Sequence, residues 1–282
     1  MSSIADSLKE AAQTLRDAGV PEARREAASL LSFVIAKDRT FLISHAEDLV
    51  NDADLQRFRD AVTRRSAGEP LQYITGVQDF FGREFRVTPD VLIPRPETEL
   101  LVEAALEVIA DTATPMICDV GTGSGCIAVT LLCERNDARA IAVDVSEAAL
   151  AVAGENAGRH GVAERIVFEI SDCFDAVDSK FDLIVSNPPY VSAGALDGLQ
   201  REVRDHEPLV ALSPGADGLS VIRRLLADAP AFLKKSGHLI MEIGFDQGEK
   251  VQALVDQNWR LLEIRPDLQG IPRIVVLQSR SE

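Results

Sequence analysis

From Pro94 onward, short apolar segments alternate with stretches of helical periodicity, and few folds accommodate such a pattern. Seven segments have the length and the β-branched composition of strands. Helical patterns separate most of them, which is typical of a mostly parallel α/β sheet with helices on both faces. The last two, joined only by DLQGIP, can form an antiparallel pair. The segments are MICDV (116–120), AIAVDV (140–145), IVFEIS (166–171), FDLIVS (181–186), HLIMEIG (238–244), LLEIRP (261–266) and RIVVLQS (273–279).

The chain before this sheet has a different amino-acid composition. Residues 1–77 are rich in Ala, Leu, Arg and Glu, and apolar residues recur at helical spacing, which predicts a small helical bundle. Aromatic and β-branched residues around Gly82 predict a β-hairpin linker over 78–93, followed by the sheet domain over 94–282. The helical region carries no catalytic constellation. We therefore expect it to recognise a substrate rather than to perform chemistry.

Charge and composition exclude several classes of protein. The net charge is −16, and residues 79–282 hold 19 basic and 33 acidic residues. Such an acidic surface disfavours a nucleic-acid substrate. No apolar stretch approaches the roughly 18 residues of a membrane span, and the N-terminus lacks a signal core, so we expect a cytoplasmic protein. The four cysteines and four histidines are scattered, so reduced thiols and no metal site are expected.

The first strand of the sheet runs into the glycine-rich segment DVGTGSGCIAV, residues 119–129. Glycines here allow a tight turn into a helix and a close approach of the backbone to a ligand. The spacing is GxGxG, whereas a dinucleotide site has GxGxxG, so we predict S-adenosyl-L-methionine as the ligand and S-adenosyl-L-homocysteine as its product. A purely structural turn is the alternative. The predicted cofactor contacts are Gly121, Thr122, Gly123, Ser124 and Gly125.

The next two strands also end in candidate ligand contacts. Asp144 follows the glycines by about 20 residues, where a carboxylate can accept hydrogen bonds from both ribose hydroxyls. It could instead cap the next helix, although Ser146 suits that role better. Asp172 can accept from an adenine amino group, with Cys173 and Phe174 against the ring. For Phe174, packing in the core is an equally good interpretation.

The fourth strand ends in Asn187, Pro188, Pro189 and Tyr190, which are the predicted catalytic residues, with Asn187 also beside the cofactor. Two adjacent prolines stiffen the chain and cannot donate backbone hydrogen bonds. The Asn187 side-chain oxygen and the Pro188 carbonyl are two acceptors at short spacing, suited to both hydrogens of one planar NH₂ group. Such binding leaves the nitrogen π lone pair facing a methyl donor. Tyr190 can stack on the acceptor or lie near a sulfonium.

The ordered set of motifs resembles one family. LIPRPETELLVE (92–103), GEPLQYITG (68–76), DVGTGSG (119–125), SNPPY (186–190) and HEPLVAL (206–212) look like the peptide chain release factor N(5)-glutamine methyltransferase (PrmC/HemK) family, over nearly the whole chain. The resemblance implies a Rossmann-like methyltransferase domain and methyl transfer to the glutamine of the Gly-Gly-Gln loop of release factors, in translation termination. It also implies that the glycines and Asp144 bind cofactor, that Cys173 lies beside adenine and that Asn187–Tyr190 hold the glutamine amide.

The PRPETE segment has its own physical interpretation. Prolines stiffen the start of a helix, and acidic residues favour its positive end. Arg95 is predicted to approach the methionine carboxylate or the partner loop, and Thr98 or Glu99 to lie near the sulfonium. A helix start and nothing more is the alternative for each. Glu242, at the end of LIMEIG, is either a carboxylate of the pocket or a solvent-facing strand end.

Rival functions share parts of this pattern. An amino methyltransferase acting on adenine or guanine in nucleic acid would use the same NPPY chemistry, but the acidic surface and the lack of a basic segment argue against it. A non-catalytic cofactor-binding protein would have no need of the NPPY segment. An NAD-linked oxidoreductase is disfavoured by the glycine spacing.

Overall fold

The computed structural model describes residues 2–280, and the chain divides into two compact units. One unit comprises the chain up to Val77 together with Gln200–His206. The other comprises Gln78–Leu199 together with the chain from Glu207 onward. No helix within residues 2–280 is both long enough and apolar enough to cross a membrane.

The first unit is helical, as its apolar periodicity predicts. Two of its longer helices begin at side-chain caps, because Ser3 and Asn51 accept hydrogen bonds from the Asp6 and Asp54 amides. Their apolar faces pack into one buried core. Two short strands, β1 (Ser2–Ser3) and β2 (Leu49–Val50), pair antiparallel. The helices are Ile4–Asp17, Ala23–Ile35, Arg39–Ser44, Asp52–Ser66, Leu71–Thr75 and Arg201–His206.

The short helix Arg201–His206 belongs to this unit although it lies far along the chain. The Arg65 side chain is buried and forms ion pairs with Glu26 and, at 2.7 Å, with Glu202. A buried guanidinium needs such partners, because an unpaired charge would be costly. Apolar periodicity does not predict this association.

The second unit begins with a β-hairpin of β3 (Val77–Phe80) and β4 (Arg83–Arg86). Phe81 and Gly82 connect the strands with φ of 51° and 68°. Two successive left-handed residues form the tight turn that matches the twist of a hairpin. The Phe81 amide donates to Glu99 Oε1 at 2.8 Å, and this bond holds the turn against the first helix of the unit.

A seven-stranded sheet forms the centre of the second unit, and its order across the sheet is the tenth, eleventh, ninth, eighth, fifth, sixth and seventh strand. Within this sheet the eleventh strand runs in the opposite direction to the other six. The predicted mostly parallel sheet and its terminal antiparallel pair are confirmed. The strands are β5 (Met116–Val120), β6 (Arg139–Asp144), β7 (Ile166–Ile170), β8 (Phe181–Ser186), β9 (Leu233–Glu242), β10 (Trp259–Pro266) and β11 (Pro272–Ser279).

Helices cover both faces of the sheet, each over its own buried apolar cluster. Glu99–Val108, Cys126–Glu134 and Glu147–Arg159 pack on one face. Ser220–Asp228 and Gly248–Leu254 pack on the other. The remaining α-helix of the unit is Leu209–Leu212.

β9 begins five residues before the predicted apolar segment. This early part contains Lys234, Lys235 and Ser236, which are exposed and carry no apolar pattern. It is a strand because Leu233 pairs with Phe181 of β8, with an irregular register before His238. Backbone pairing therefore extends the strand beyond the segment that the apolar pattern indicates.

Asn156 links three parts of the second unit. Its side chain is fully buried; Oδ1 accepts from the Arg86 amide at 2.7 Å, and Nδ2 donates to the carbonyls of Arg86 and Ser124. Both Nδ2 hydrogens and one lone pair of Oδ1 are thus bonded to backbone groups. The hairpin, the glycine-rich segment and the helix Glu147–Arg159 are thereby joined.

Replacing Asn156 with Ala should lower the free energy of unfolding by about 3 kcal/mol, because three backbone groups lose their partner. Urea denaturation measures the change. Asn258→Ala is the matched control: within residues 2–280 its side-chain amide bonds only to Asp256, in an exposed turn, so the change in stability should be about 0.5 kcal/mol or less. Equal effects of the two substitutions would contradict the assigned role of Asn156.

Candidate active site

A cavity of about 390 Å³ opens at the carboxyl ends of β5, β6, β7 and β8. This volume is in the range of small-molecule sites. The carboxyl edge of a doubly wound sheet, where the strand order reverses, is where such folds bind ligands. Three further segments line the cavity: residues 90–98, 208–214 and Val221.

The glycine-rich segment forms one wall. Gly121, Thr122, Gly123 and Ser124 line the cavity. Gly121 and Gly123 have φ of 73° and 56°, which a residue with a side chain would adopt only under strain. Gly125 lies behind the wall, where a Cβ would be 3.1 Å from Ala153 Cβ, so its role is close packing of two helices.

Asp144 lies at the base of this wall. Its carboxylate oxygens accept from the amides of Gly123 and Ser146, both at 2.9 Å. Ser146 is the helix cap, because its hydroxyl accepts from the Ala149 amide. Each Asp144 oxygen retains a further lone pair. The side chain is therefore fixed beside the cavity and can still accept hydrogen bonds.

The segment after β7 contributes three residues to the cavity, Ser171, Asp172 and Cys173, and one residue, Phe174, to the core. Asp172 lines the cavity and forms an ion pair with Arg224 at 2.7 Å. Cys173 also lines it, and burial raises the pKa of its thiol to about 11, so the thiol is neutral at pH 7. Phe174 stacks on Phe232 with ring centroids 4.6 Å apart, outside the cavity lining. Of the two interpretations of Phe174, core packing is the one the geometry supports.

The segment after β8 forms the opposite wall. Asn187, Pro188 and Pro189 line the cavity, whereas Tyr190 turns away from it. The Tyr190 hydroxyl donates to Glu242 Oε1 at 3.3 Å, and burial followed by the nearby Glu242 charge raises the pKa of this phenol. The Tyr190 carbonyl accepts from Gln247 Nε2 at 3.1 Å. The two hydrogen bonds of Tyr190 thus anchor the segment.

A chain of side-chain hydrogen bonds runs behind Asn187. Asn187 Nδ2 donates to Thr98 Oγ1 at 3.1 Å, and Thr98 Oγ1 donates to Glu242 Oε2 at 2.6 Å. Thr98 and Glu242 are each only 1% exposed. Burial raises the pKa of Glu242 to about 7, although Thr98 and Tyr190 hydrogen bonds oppose the shift. Glu242 is therefore a buried carboxyl of the site and not a solvent-facing strand end.

The PRPETE segment divides between the cavity and its support. Arg95 lines the cavity and donates to Glu207 Oε1 at 2.5 Å. Glu207 is buried and also accepts from the Ile93 amide at 3.4 Å. Glu99, predicted near the sulfonium, lies outside the cavity lining, and its carboxylate accepts from the Phe81 amide.

Sequence reasoning missed three polar residues of this site, the first of which is Glu207. Asp119 is the second: it is fully buried, accepts from Thr122 Oγ1 at 2.7 Å, and has a pKa raised by burial to about 7. A charged residue inside the apolar strand MICDV is the signal that could have found it. Gln247 is the third, and its position in a polar helical stretch gives no such signal.

Gln247 ties the NPPY segment to two loops. Its Nε2 donates to the carbonyls of Tyr190 and Gly218, and its Oε1 accepts from the Gly244 amide. A Cβ at Gly218 would lie 2.3 Å from the Tyr190 carbonyl oxygen, so only glycine fits there. The buried Gln247 amide has a partner at each end.

Comparison with known proteins gives consistent matches. Residues 6–76 match the family model of the PrmC N-terminal domain, and residues 97–203 match the methyltransferase small domain. The chain is 47% identical over 272 residues to a release factor glutamine methyltransferase of Cereibacter sphaeroides, covering 96% of each chain. It is 43% identical to a protein of the same name from Nitratidesulfovibrio vulgaris, covering 95% of this chain and 92% of the relative.

Solved structures resemble the fold at low identity. The hMettl16 catalytic domain has a TM-score of 0.56 at 15% identity, covering 82% of this chain and 83% of that one. A methyltransferase from Pyrococcus furiosus has a TM-score of 0.51 at 15% identity, covering 79% and 99%. These likenesses confirm the methyltransferase fold that the sequence predicts.

Glu242→Gln should make the protein more stable at alkaline pH. The folded-state pKa of Glu242 is about 7 against 4.5 for the free side chain, so the folded state binds the proton more tightly. Stability from this group is present below the unfolded pKa and is lost as pH rises through 7. A neutral amide avoids that loss, which amounts to about 3 kcal/mol at most.

Urea denaturation of both proteins between about pH 5 and about pH 8 measures this difference. The stability gain of Glu242→Gln should grow as the pH rises. Glu249→Gln, at an exposed helical position, is the matched control and should show no such trend. A gain independent of pH would mean that Glu242 does not titrate in this range.

Proposed function

Because the chain belongs to the family of release factor glutamine methyltransferases, we propose that it methylates the side-chain amide nitrogen of a glutamine in a peptide chain release factor. The proposed glutamine is that of the Gly-Gly-Gln motif, and the methyl donor is S-adenosyl-L-methionine. The observation that carries the proposal is the bonding of Asn187. Its Nδ2 donates to Thr98 Oγ1, and the hydrogen bonds of residues 2–280 include none to its Oδ1.

An amide nitrogen is a poor nucleophile because its lone pair is delocalised, so its orientation is critical. Asn187 Oδ1 and the Pro188 carbonyl can accept the two N–H bonds of one planar NH₂ group. Holding both hydrogens defines the plane of the group and faces its π lone pair toward the cavity. The same two acceptors disperse the positive charge that develops on nitrogen. The chain then needs no strong general base, because the methylated nitrogen is acidic enough to lose its proton.

The cavity residues fit the methyl donor. When bound, S-adenosyl-L-methionine supplies an electrophilic methyl group on a sulfonium. Asp144 is held by two backbone amides and keeps lone pairs for a ribose diol. The left-handed glycines let the wall approach a ligand without side-chain obstruction. Cys173 is a neutral, apolar neighbour for a ring, and Asp172 is an acceptor at the same end.

The helical unit is proposed to recognise the release factor. Its residues 6–76 match the PrmC N-terminal domain, and its apolar residues pack into one buried core. Phe33, Ile43 and Leu49 are at least half exposed, which gives the unit apolar surface for a protein partner. The modification would act on translation termination in the cytoplasm.

Mass spectrometry of a release factor, incubated with this protein and S-adenosyl-L-methionine, tests the proposal. The expected result is the mass increase of one methyl substitution on the peptide containing Gly-Gly-Gln, located to the glutamine by fragmentation. Methylation of adenine or guanine in an oligonucleotide, with the release factor unmodified, would overturn it in favour of nucleic-acid methylation.

Asn187→Ala should lower the rate of methyl transfer by about 100-fold or more, because one of two acceptors for the NH₂ group is lost. Cofactor affinity should stay within about twofold of the wild type by isothermal titration calorimetry. Asn258→Ala, in an exposed turn, should leave both quantities unchanged. An Asn187→Ala protein with the wild-type rate would exclude the proposed role.

Asp144→Ala should weaken S-adenosyl-L-methionine binding by about 10-fold or more, because charged hydrogen bonds to the ribose are lost. Isothermal titration calorimetry measures the change. Glu147→Ala removes the same charge three residues away at an exposed position and should leave affinity within about twofold. Equal affinities for the two variants would contradict the assignment of Asp144 to the ribose.

A further inference from the structure

We propose that Thr98 and Glu242 are positioning residues that determine which end of the Asn187 amide faces the cavity. This inference rests on the proposed amide methylation, because only the oxygen end of Asn187 can bind a substrate NH₂ group. Neither side chain needs to touch the substrate. They act on the reaction through Asn187.

The direction of the hydrogen bonds carries the inference. A carboxylate only accepts, so Thr98 must point its single hydrogen toward Glu242 Oε2, 2.6 Å away. The Thr98 oxygen then presents only lone pairs to Asn187, 3.1 Å away. Asn187 must therefore donate to this oxygen through Nδ2, its donor end. Its acceptor end, Oδ1, is left for the cavity.

The opposite orientation of the amide is excluded by the same bonds. If Oδ1 of Asn187 faced Thr98, two oxygen acceptors would meet with no hydrogen between them. Thr98 is 1% exposed, so water cannot readily relieve that contact. Asn187 would then direct two N–H donors at a substrate group that is itself a donor, and binding of the NH₂ group would fail.

Glu242 is held as an acceptor by its surroundings. The Tyr190 hydroxyl donates to its other oxygen at 3.3 Å. Arg273 on β11 favours the carboxylate, whereas Glu97 before the first helix of the unit disfavours it. The Cys126 thiol also interacts electrostatically with Glu242. Burial raises the pKa of this thiol to about 12, so it stays neutral. Burial is the largest influence and outweighs the Thr98 and Tyr190 hydrogen bonds and Arg273, so the pKa of Glu242 is raised to about 7.

Protonation of Glu242 would remove the constraint. A protonated Oε2 can donate to Thr98, and the Thr98 hydroxyl can then turn its hydrogen toward Asn187. The amide oxygen becomes the matching partner, so the amide rotates and its NH₂ end faces the cavity. Methyl transfer should therefore lose rate as the pH falls from about 8 to about 6, although the protein stays folded.

Single-turnover methylation of a release factor by the full chain tests the role of Thr98. Thr98→Val keeps the shape but has no hydroxyl, and should lower the rate constant by about 10-fold or more with cofactor affinity unchanged. Thr98→Ser restores the hydroxyl and should recover most of the rate. Thr130→Val is the matched control, because the Thr130 hydroxyl is buried without a partner in the described chain.

The pH profile tests the role of Glu242. Glu242→Gln has no proton to gain, and its amide can face Thr98 with either end, so the rate at pH 8 should fall by about twofold or more and the acid limb should disappear. If the methylation rates of the wild type and of Glu242→Gln fell in the same way as the pH is lowered, the inference would be overturned. A Thr98→Val rate equal to that of Thr130→Val would overturn it as well.

Failure of the inference differs from failure of the proposed function. If the wild-type protein does not methylate the release factor glutamine, the proposed function is wrong and the inference falls with it. If it does, but Thr98→Val binds cofactor normally and keeps the wild-type rate, only the inference is wrong. Thermal unfolding of each variant shows whether a lost rate reflects a lost fold, and Thr98→Ser still separates the two cases.

Discussion

Parallel pairing at the centre of the sheet is the constraint on which the site depends. β5 pairs with β6 on one side and with β8 on the other, so three strands end next to one another. The chain runs outward from β5 to β7 and returns across β5 to β8, which creates the point where the strand order reverses. The glycine-rich segment, Asp144 and Asn187 each follow one of these strand ends. Their proximity is a consequence of backbone pairing alone.

The NPPY segment shows a second constraint. Two prolines lack amide hydrogens, so neither can donate to a neighbouring strand. Side chains from elsewhere hold the segment instead: Ser186 donates to the Val120 carbonyl at 2.7 Å, and Gln247 donates to the Tyr190 carbonyl. Stiffness in the backbone is thus combined with anchoring by buried polar groups. The buried carboxyl of Glu242 takes part in this anchoring. Its pKa is raised because burial disfavours the charged carboxylate.

Local pattern predicted the fold and the strand-end residues well, because hydrophobic period and strand ends are local properties. Asp144 and Asn187, each at the end of a predicted strand, line the cavity. Phe174 could not be assigned, since a strand-end aromatic can point to a ligand or to the core, and only the position of Phe232 decides between them. Thr98 and Glu99 were the two candidates for a place near the sulfonium: Thr98 lines the cavity, whereas Glu99 accepts from the Phe81 amide in the hairpin turn. Of the polar residues that were missed, Glu207 and Gln247 have partners far along the chain, Arg95 and Tyr190.

The sequence by itself determined the order of strands and helices, the conformation of the glycine-rich turn and the chemistry available at each strand end. These follow from side-chain period, backbone freedom and residue type over a few neighbours. Only the tertiary structure decided that Thr98 and Glu242, separated by 144 positions, meet behind Asn187. A hydrogen bond needs two groups within about 3 Å, and no local pattern encodes which distant groups will share that space. The amide direction at the site is therefore a property of the folded chain.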